Sequence, residues 1–350
     1  MTRRSIGFIV CLAAFFSAVS PGWPVPSEDA TPAKTTRRIV MVLWRGMTPA
    51  EEGFIKYFRR KAAPVEFTVL DCAGDQARLS GLVDRVRREK PDLIYAFGTT
   101  ITQALAGKNE EADSTGYIRD IPIVFNIVAF PAKASLLGAG ESSGRNLTGA
   151  SHLAPIATQV SAMRSVIAFE RLGVIYNPGE VNSTCALEDL EAQASKFGFA
   201  LLEAPMHMRG DGKGFVESIP ETVDSLAAGN PQMIYIPSDS SLISQAGSIV
   251  EAINRHRIPT FSATEEPIVS GGAMMGLVSQ YRSVGQFAAY KAEQILFNGK
   301  APRDIPVETL KKFSFLVNMK TARRIGFYPP IKVFKFAEII EPQTVAPMTP

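Results

Sequence analysis

A regular alternation of strand-length apolar runs and helix-length amphipathic segments constrains this chain more than any other feature. Residues 39–44 (IVMVLW) form a continuous apolar run, 49–61 carries Phe54, Ile55 and Phe58 on one helical face, and 65–70 is strand-like again. A second amphipathic stretch over 76–90 places Leu79, Leu82, Val83 and Val86 at helical spacing. It is followed by a strand at 92–97, a helix opened by Gly98-Thr99-Thr100, a polar loop over 107–120, and a strand at 121–127. After a glycine- and serine-rich break at 138–145 the pattern resumes. Helices are expected over 158–167, over 183–197 with Ser183 as N-cap, over 215–228, and from the cap Ser238-Asp239-Ser240-Ser241 to about Arg255. They are interleaved with strands at 171–176, 199–204, 233–237 and 259–262. Alternation of this kind means βαβ units and parallel sheets, and strands apolar throughout belong to sheets covered on both faces. Two consecutive runs of about four units predict two similar lobes, without a sequence repeat between them.

Composition narrows the function classes. Charged residues are 20% of the chain and net charge is +3, so nothing favours nucleic acid; Arg85, Arg87, Arg88 and Lys90 read as one solvated helix face. Residues 6–19 (IGFIVCLAAFFSAV) follow Arg3 and Arg4 and have the length of an export-signal core rather than of a membrane span. The expectation is a cleaved signal at 1–22, a leader at 23–37 and an exported product, the alternatives being a retained anchor or a buried helix. Cys11 lies inside that run and lacks the setting of a lipid-attachment site, while Cys72 and Cys185 are expected as free, buried thiols.

Catalytic machinery is not in evidence. The three histidines, His152, His207 and His256, have no Cys, Asp or Glu at ligand spacing, and no GxSxG, GxxxxGK[ST] or HExxH occurs. Gly138-Ala139-Gly140-Glu141 does not join a strand to a helix. Glu265-Glu266 could serve acid–base chemistry, but reads better as helix capping before Pro267. No cofactor and no metal are expected. What recurs instead is a set of neutral hydrogen-bonding residues and helix starts at the carboxyl ends of strands, where parallel sheets bind ligands. These are Trp44, Arg45 and Gly46; Thr99 and Thr100; Asn126 to Phe130; Tyr176, Asn177, Asn182 and Ser183; and Ser238 with Asp239. Glu265, Gln280 and Tyr281 complete the candidate binding residues.

Several segments then resemble one family. Gly144-Arg145-Asn146-Leu147-Thr148-Gly149 is similar to a GxNxTG crossover, and Tyr176-Asn177-Pro178-Gly179-Glu180-Val181-Asn182-Ser183 to a YNPxExNS turn. Ile258-Pro259-Thr260-Phe261, Gly271-Gly272-Ala273, the stretch from Tyr281 to Gly299, Ile305-Pro306-Val307-Glu308, and Val317-Asn318-Met319-Lys320-Thr321-Ala322 follow in the family's order. The chain resembles the periplasmic substrate-binding proteins of ABC transporters with the type I fold, in the branch linked to tryptophan and other aromatic amino acids. The resemblance implies an α/β protein of two Rossmann-like lobes with parallel sheets joined by a three-strand hinge. One lobe would hold 37–148 plus 273–303 and the other 149–272 plus 304–330, with crossovers near Thr148, Gly272 and Ile305 and a tail at 331–350. It further implies a small-molecule ligand held by hinge closure and a membrane permease as partner. Alternatives are a sensor module for a membrane receptor, with the tail segment VFKFAEII as a partner-binding strand, or a secreted α/β enzyme. Two departures stand out. Phe130-Pro131 replaces the family's Asp-Pro, and Gln280 replaces an Asp. They point away from a zwitterionic amino acid and toward a neutral or anionic ligand, with flat contact from Trp44, Phe130, Tyr176 and Tyr281.

Overall fold

The apolar runs become the inner strands of two sheets because each is covered by helices on both faces. The computed structural model describes residues 35–79, 81–111, 116–138, 140–206 and 214–341. The expected signal and most of the leader, His207, Ala139 and residues 342–350 lie outside them. The chain proceeds through β1 (Arg37–Leu43), α1 (Pro49–Arg60), β2 (Val65–Asp71), α2 (Leu82–Glu89), β3 (Leu93–Phe97), α3 (Gly98–Ala106), β4 (Ile123–Val128) and β5 (Leu147–Ser151). The next stretch holds α4 (Ile156–Val166), β6 (Arg171–Tyr176), α5 (Val181–Phe197), β7 (Ala200–Pro205), α6 (Gly214–Ala228) and β8 (Met233–Ile236). It ends with α7 (Ser240–Ser244), α8 (Ala246–Arg255), β9 (Thr260–Ser262), α9 (Glu266–Val269) and β10 (Met275–Val278). Then come α10 (Tyr281–Leu296), β11 (Glu308–Thr309), β12 (Ser314–Asn318), α11 (Met319–Ile325) and β13 (Ala337–Ile340).

The first sheet has the order β11-β5-β4-β3-β1-β2 and the second β13-β12-β10-β9-β8-β6-β7. Every pairing is parallel except β10 with β12. The chain passes between the sheets three times, at 152–155, 279–280 and 310–313. Each passage falls a few residues later than the motifs suggest. β5 stays registered with β4 up to Ser151, β10 is held between β9 and β12 in the second sheet, and β11 pairs with β5 in the first. The first lobe therefore takes back α10 and β11 rather than 273–303, and hydrogen-bond pairing, not small-residue content, decides where the chain crosses.

Local departures have local causes. The expected 76–90 helix splits into a 3-10 turn, Gln76–Leu79, and α2, because Gly81 sits at φ 71° between them. Ser183 is not the cap of α5: the helix starts at Val181, and the Ser183 hydroxyl instead accepts from the Asn177 N–H at 2.9 Å. Asp239 caps the short α7, and the helix restarts as α8 after Gln245. The tail segment is not free, since β13 adds in parallel to β12 as an edge strand. Cys72 and Cys185 are both free and buried. On one face of the first sheet α1 lies against α10, with Gly53 beside the backbone of Arg282 and Gly285 beside that of Ala50. Lys291 of α10 is buried and donates to the Pro306 carbonyl at 2.6 Å and to Glu308 at 2.7 Å, tying α10 to the edge strand β11.

Candidate ligand-binding cleft

The carboxyl ends of both sheets carry helix starts, and these meet across the seam between lobes. Thr99, in the first turn of α3, donates to the Asn182 side-chain oxygen in the first turn of α5 at 3.0 Å. Arg45, just past β1, pairs with Glu266 at the start of α9, and its guanidinium lies 5.4 Å from the centroid of the Phe97 ring. At another rim Lys133 reaches Asp189 at 2.8 Å and Glu188 at 3.2 Å on α5.

Behind the first-lobe wall runs a buried chain of hydrogen bonds. Glu51 accepts from the Thr48 N–H at 2.7 Å and the Thr48 hydroxyl at 2.6 Å, completing the capping box of α1. Its other oxygen accepts from the Tyr95 hydroxyl at 2.5 Å, and Asn126 Nδ2 donates to that hydroxyl at 3.0 Å. Burial raises the Glu51 carboxyl above its ordinary range, against the pull of these donors. The result is a fixed Asn126 amide whose oxygen is buried without a partner.

The second-lobe wall is built from the turns after β6 and β8. The Ser240 N–H donates to both oxygens of Glu180, at 3.1 and 3.0 Å, and the Leu242 N–H donates to Asp239 at 2.8 Å. Asn177 accepts from the Gly179 N–H at 2.9 Å, closing the turn that presents Glu180 and Asn182. At the crossovers His152 lies 3.2 Å from the Ser238 hydroxyl and edge-on to Tyr281, with ring centroids 5.9 Å apart. Burial pushes the His152 imidazole down to about 4, so it is neutral at pH 7. Glu265 accepts from the Tyr281 N–H at 2.6 Å, a carboxylate at the start of α10.

Not every expected residue joins this constellation. Arg45, Thr99, Asn126, Asn177, Asn182, Ser183, Ser238, Asp239, Glu265 and Tyr281 are connected through the contacts above. Trp44 is half-buried against the first-lobe core, and Gly46, at φ 80°, turns the chain toward α1. Thr100, in the first turn of α3, is also half-buried. Phe130 packs on the second-lobe core under Lys133 and lines a rim cavity of about 320 Å³. Tyr176 leans on the second-lobe core near Glu203 of β7, which helps burial to raise its hydroxyl. Gln280 donates to Glu338 at 3.1 Å and Ser314 at 3.4 Å, toward the outer β12–β13 end of the sheet. Glu265 is engaged by the start of α10 and Glu266 by Arg45, and both line a cavity of about 270 Å³ with Arg45 and Tyr281. Sequence reasoning passed over Glu180, Glu51, Tyr95 and Lys133. Only Glu180 carried a signal, inside its turn motif.

The polar atoms left over are the telling feature. Arg45 Nε, Asn126 Oδ1 and Ser279 Oγ are buried without hydrogen-bond partners. The Tyr281 hydroxyl and Thr264 Oγ1 have only each other, His152 has the Val128 backbone beside Ser238, and Asp239 Oδ2 has only the donors around its turn and the Glu180 carboxyl. Further orphan atoms sit on Arg145, Arg164, Gln193 and Asn254, on other elements. Native proteins pair nearly all such atoms. Around the cleft they come from strand ends and crossovers of both lobes.

A family model described as ABC transporter substrate binding protein matches residues 48–339. The chain belongs to the ABC transporter substrate-binding protein family. It is 27% identical over 281 residues to a tyrosine-binding protein of Clostridioides difficile, covering 79% of this chain and 76% of that one. A conserved domain protein of Vibrio cholerae, of known structure, is 26% identical with a TM-score of 0.75, over 87% of this chain and 99% of that chain. An L-Trp complex of an ABC domain from Streptococcus pneumonia shares the fold at 20% identity and TM-score 0.75, over the same shares of each chain. This substrate-binding protein thus has the type I periplasmic binding fold and belongs to a class of binding proteins, not enzymes. Such proteins bind small solutes for ABC transporters outside the cytoplasm. No helix among the described residues is long and apolar enough to cross a membrane.

Proposed function

We propose that this substrate-binding protein captures an amino acid, with an aromatic one as the leading class, between its lobes and presents the closed form to a membrane permease. Residues 1–22 would act as a cleaved export signal. The observation that carries the reading is the set of under-satisfied buried polar atoms contributed by both lobes. A bound solute with hydrogen-bonding groups at one end satisfies them, and each buried atom left unmade costs about 1–3 kcal/mol. The tyrosine-binding relative and the L-Trp complex support the aromatic class.

The test is a thermal-shift screen of the L-amino acids followed by calorimetry. The binding solute at about 100 times its dissociation constant is expected to add roughly 2.7 kcal/mol to stability. If no amino acid stabilises the protein, the reading is wrong. The Lys133 contacts with Glu188 and Asp189 give a second expectation. They are partly solvent-exposed, so Lys133→Ala should speed solute release by only about 2- to 5-fold. Stopped-flow release in low and high salt measures this, and the difference from wild type should shrink as salt screens the pair.

A further inference from the structure

The turns after β6 and β8 bring two acids together on the second-lobe wall. Asp239 is fully buried, with one oxygen taken by the Leu242 N–H and the rest of its carboxyl set against the Ser183 hydroxyl, the Ser241 N–H and the Glu180 carboxyl. Glu180 spends both oxygens on the single Ser240 N–H and receives a long contact of 3.4 Å from Asn182 Nδ2. Their other neighbours are uncharged: Asn182 and Ser183 from α5, and the N–H groups of Ser240, Ser241 and Leu242 from α7. Each acid faces the other's carboxyl. Capping α7 needs one neutral oxygen, and Asp239 alone provides a good cap. A second acid beside it adds like-charge repulsion that the surrounding N–H and hydroxyl donors relieve only in part, with no cation among them.

The position of the pair gives it a use. Asn182, which touches Glu180, also accepts from Thr99 of the first lobe, and Ser238, next to Asp239, meets His152 in the first crossover. The acids therefore lie between the lobe seam and the hinge, within the set of under-satisfied atoms. We infer that the Glu180–Asp239 pair seats a ligand ammonium group, and that its arrival expels a proton from the pair. Burial and the mutual charge of the acids, which raise both carboxyls, agree with a proton being held there when no cation is bound. The inference rests on the amino-acid reading above and deepens it. It also supplies the acid that Phe130 and Gln280 do not, from the opposite lobe.

Calorimetry on the full chain at pH 7 tests this with L-tyrosine and L-tryptophan, set against 3-(4-hydroxyphenyl)propanoate and indole-3-propanoate, which lack only the amino group. The amino acids are expected to bind at least about 30-fold tighter than their des-amino analogues. Asp239→Asn keeps the cap of α7 and should fold, yet should erase most of that preference by weakening the amino acids alone. Glu180→Gln should do the same. Titrations in buffers of different ionisation enthalpy should show release of up to about one proton per amino acid bound, and less in either variant. Retention of the preference by both folded variants overturns the inference. Wild-type protein that binds the des-amino acids as well as or better than the amino acids also overturns it while leaving a solute-binding cleft intact. Binding of none of the four probes overturns the inference, and the amino-acid reading falls with it only if the full L-amino-acid screen is negative too.

Discussion

Gly285→Val is expected to disrupt the first lobe. A side chain at this position would press into the Ala50 carbonyl of α1, its Cβ only 2.7 Å from the carbonyl carbon. Backbone, not a flexible side-chain end, is what must yield. Gly53 makes the reciprocal approach to the Arg282 backbone, so the two helices are close at two points and cannot hinge apart at one. Even Gly285→Ala should cost on the order of 3 kcal/mol, a fall in melting temperature of about 4–6 °C, and valine more. Helix α10 begins at Tyr281, directly after the second crossover, so its displacement should weaken solute binding as well. Thermal and urea melts of the alanine variant measure the cost; a melting temperature unchanged from wild type would show that α1 and α10 do not need the contact.

Without solute, stability is expected to fall as pH rises. Burial, then the Asp239 charge, pushes the Glu180 carboxyl from 4.5 up to about 8 in the folded protein. Between those values the folded state holds a proton that the unfolded state has released, so stability declines with pH, by on the order of 5 kcal/mol across the whole window. His152 acts in the opposite sense. Its folded value of about 4 lies below 6.5, so the unfolded chain binds more protons there and stability rises with pH from about 4 to 6.5. Above 6.5 the histidine is silent, and the acid pair should remove roughly 2 kcal/mol by pH 8, with the raised Glu51 and Glu265 carboxyls acting in the same direction. Urea unfolding at pH 6.5 and 8 reads this directly. Glu180→Gln should flatten the profile, and an equally steep profile in that variant would assign the pH dependence elsewhere.

The same pair shows where reading the chain residue by residue stops. The strands, most helices and the placing of helix starts at strand ends follow from short-range periodicity. Helix α1 was legible to within a residue, because Phe54, Ile55 and Phe58 on one helical face are local signals. Asn126, Asp239 and Asn182 were recognisable as candidates because they lie near the carboxyl ends of strands, Asn126 inside β4, Asp239 in the turn after β8 and Asn182 in the first turn of the helix after β6. Glu180 was visible only as part of a turn, with nothing nearby in sequence to say that Asp239 would face it. The partner of Gln280 was hidden for a related reason: Glu338 lies 58 positions away, in a strand whose pairing no local pattern announces.

By itself, then, the sequence determined an α/β chain with two covered parallel sheets, and, through its ordered motifs, the family. Tertiary structure alone decided the rest. It set the three crossovers through strand register, gave 308–309 to the first sheet and 275–278 to the second, and turned Gln280 outward. It also joined Glu51 to Tyr95 and Asn126, and placed Glu180 against Asp239. The physical reason is range. Periodicity and capping act within a few residues, whereas Arg45 and Glu266 meet across 221 positions and Glu180 and Ser240 across 60. Such contacts exist only once burial has closed the chain on itself, so buried charge and partnerless polar atoms become visible only in the folded molecule.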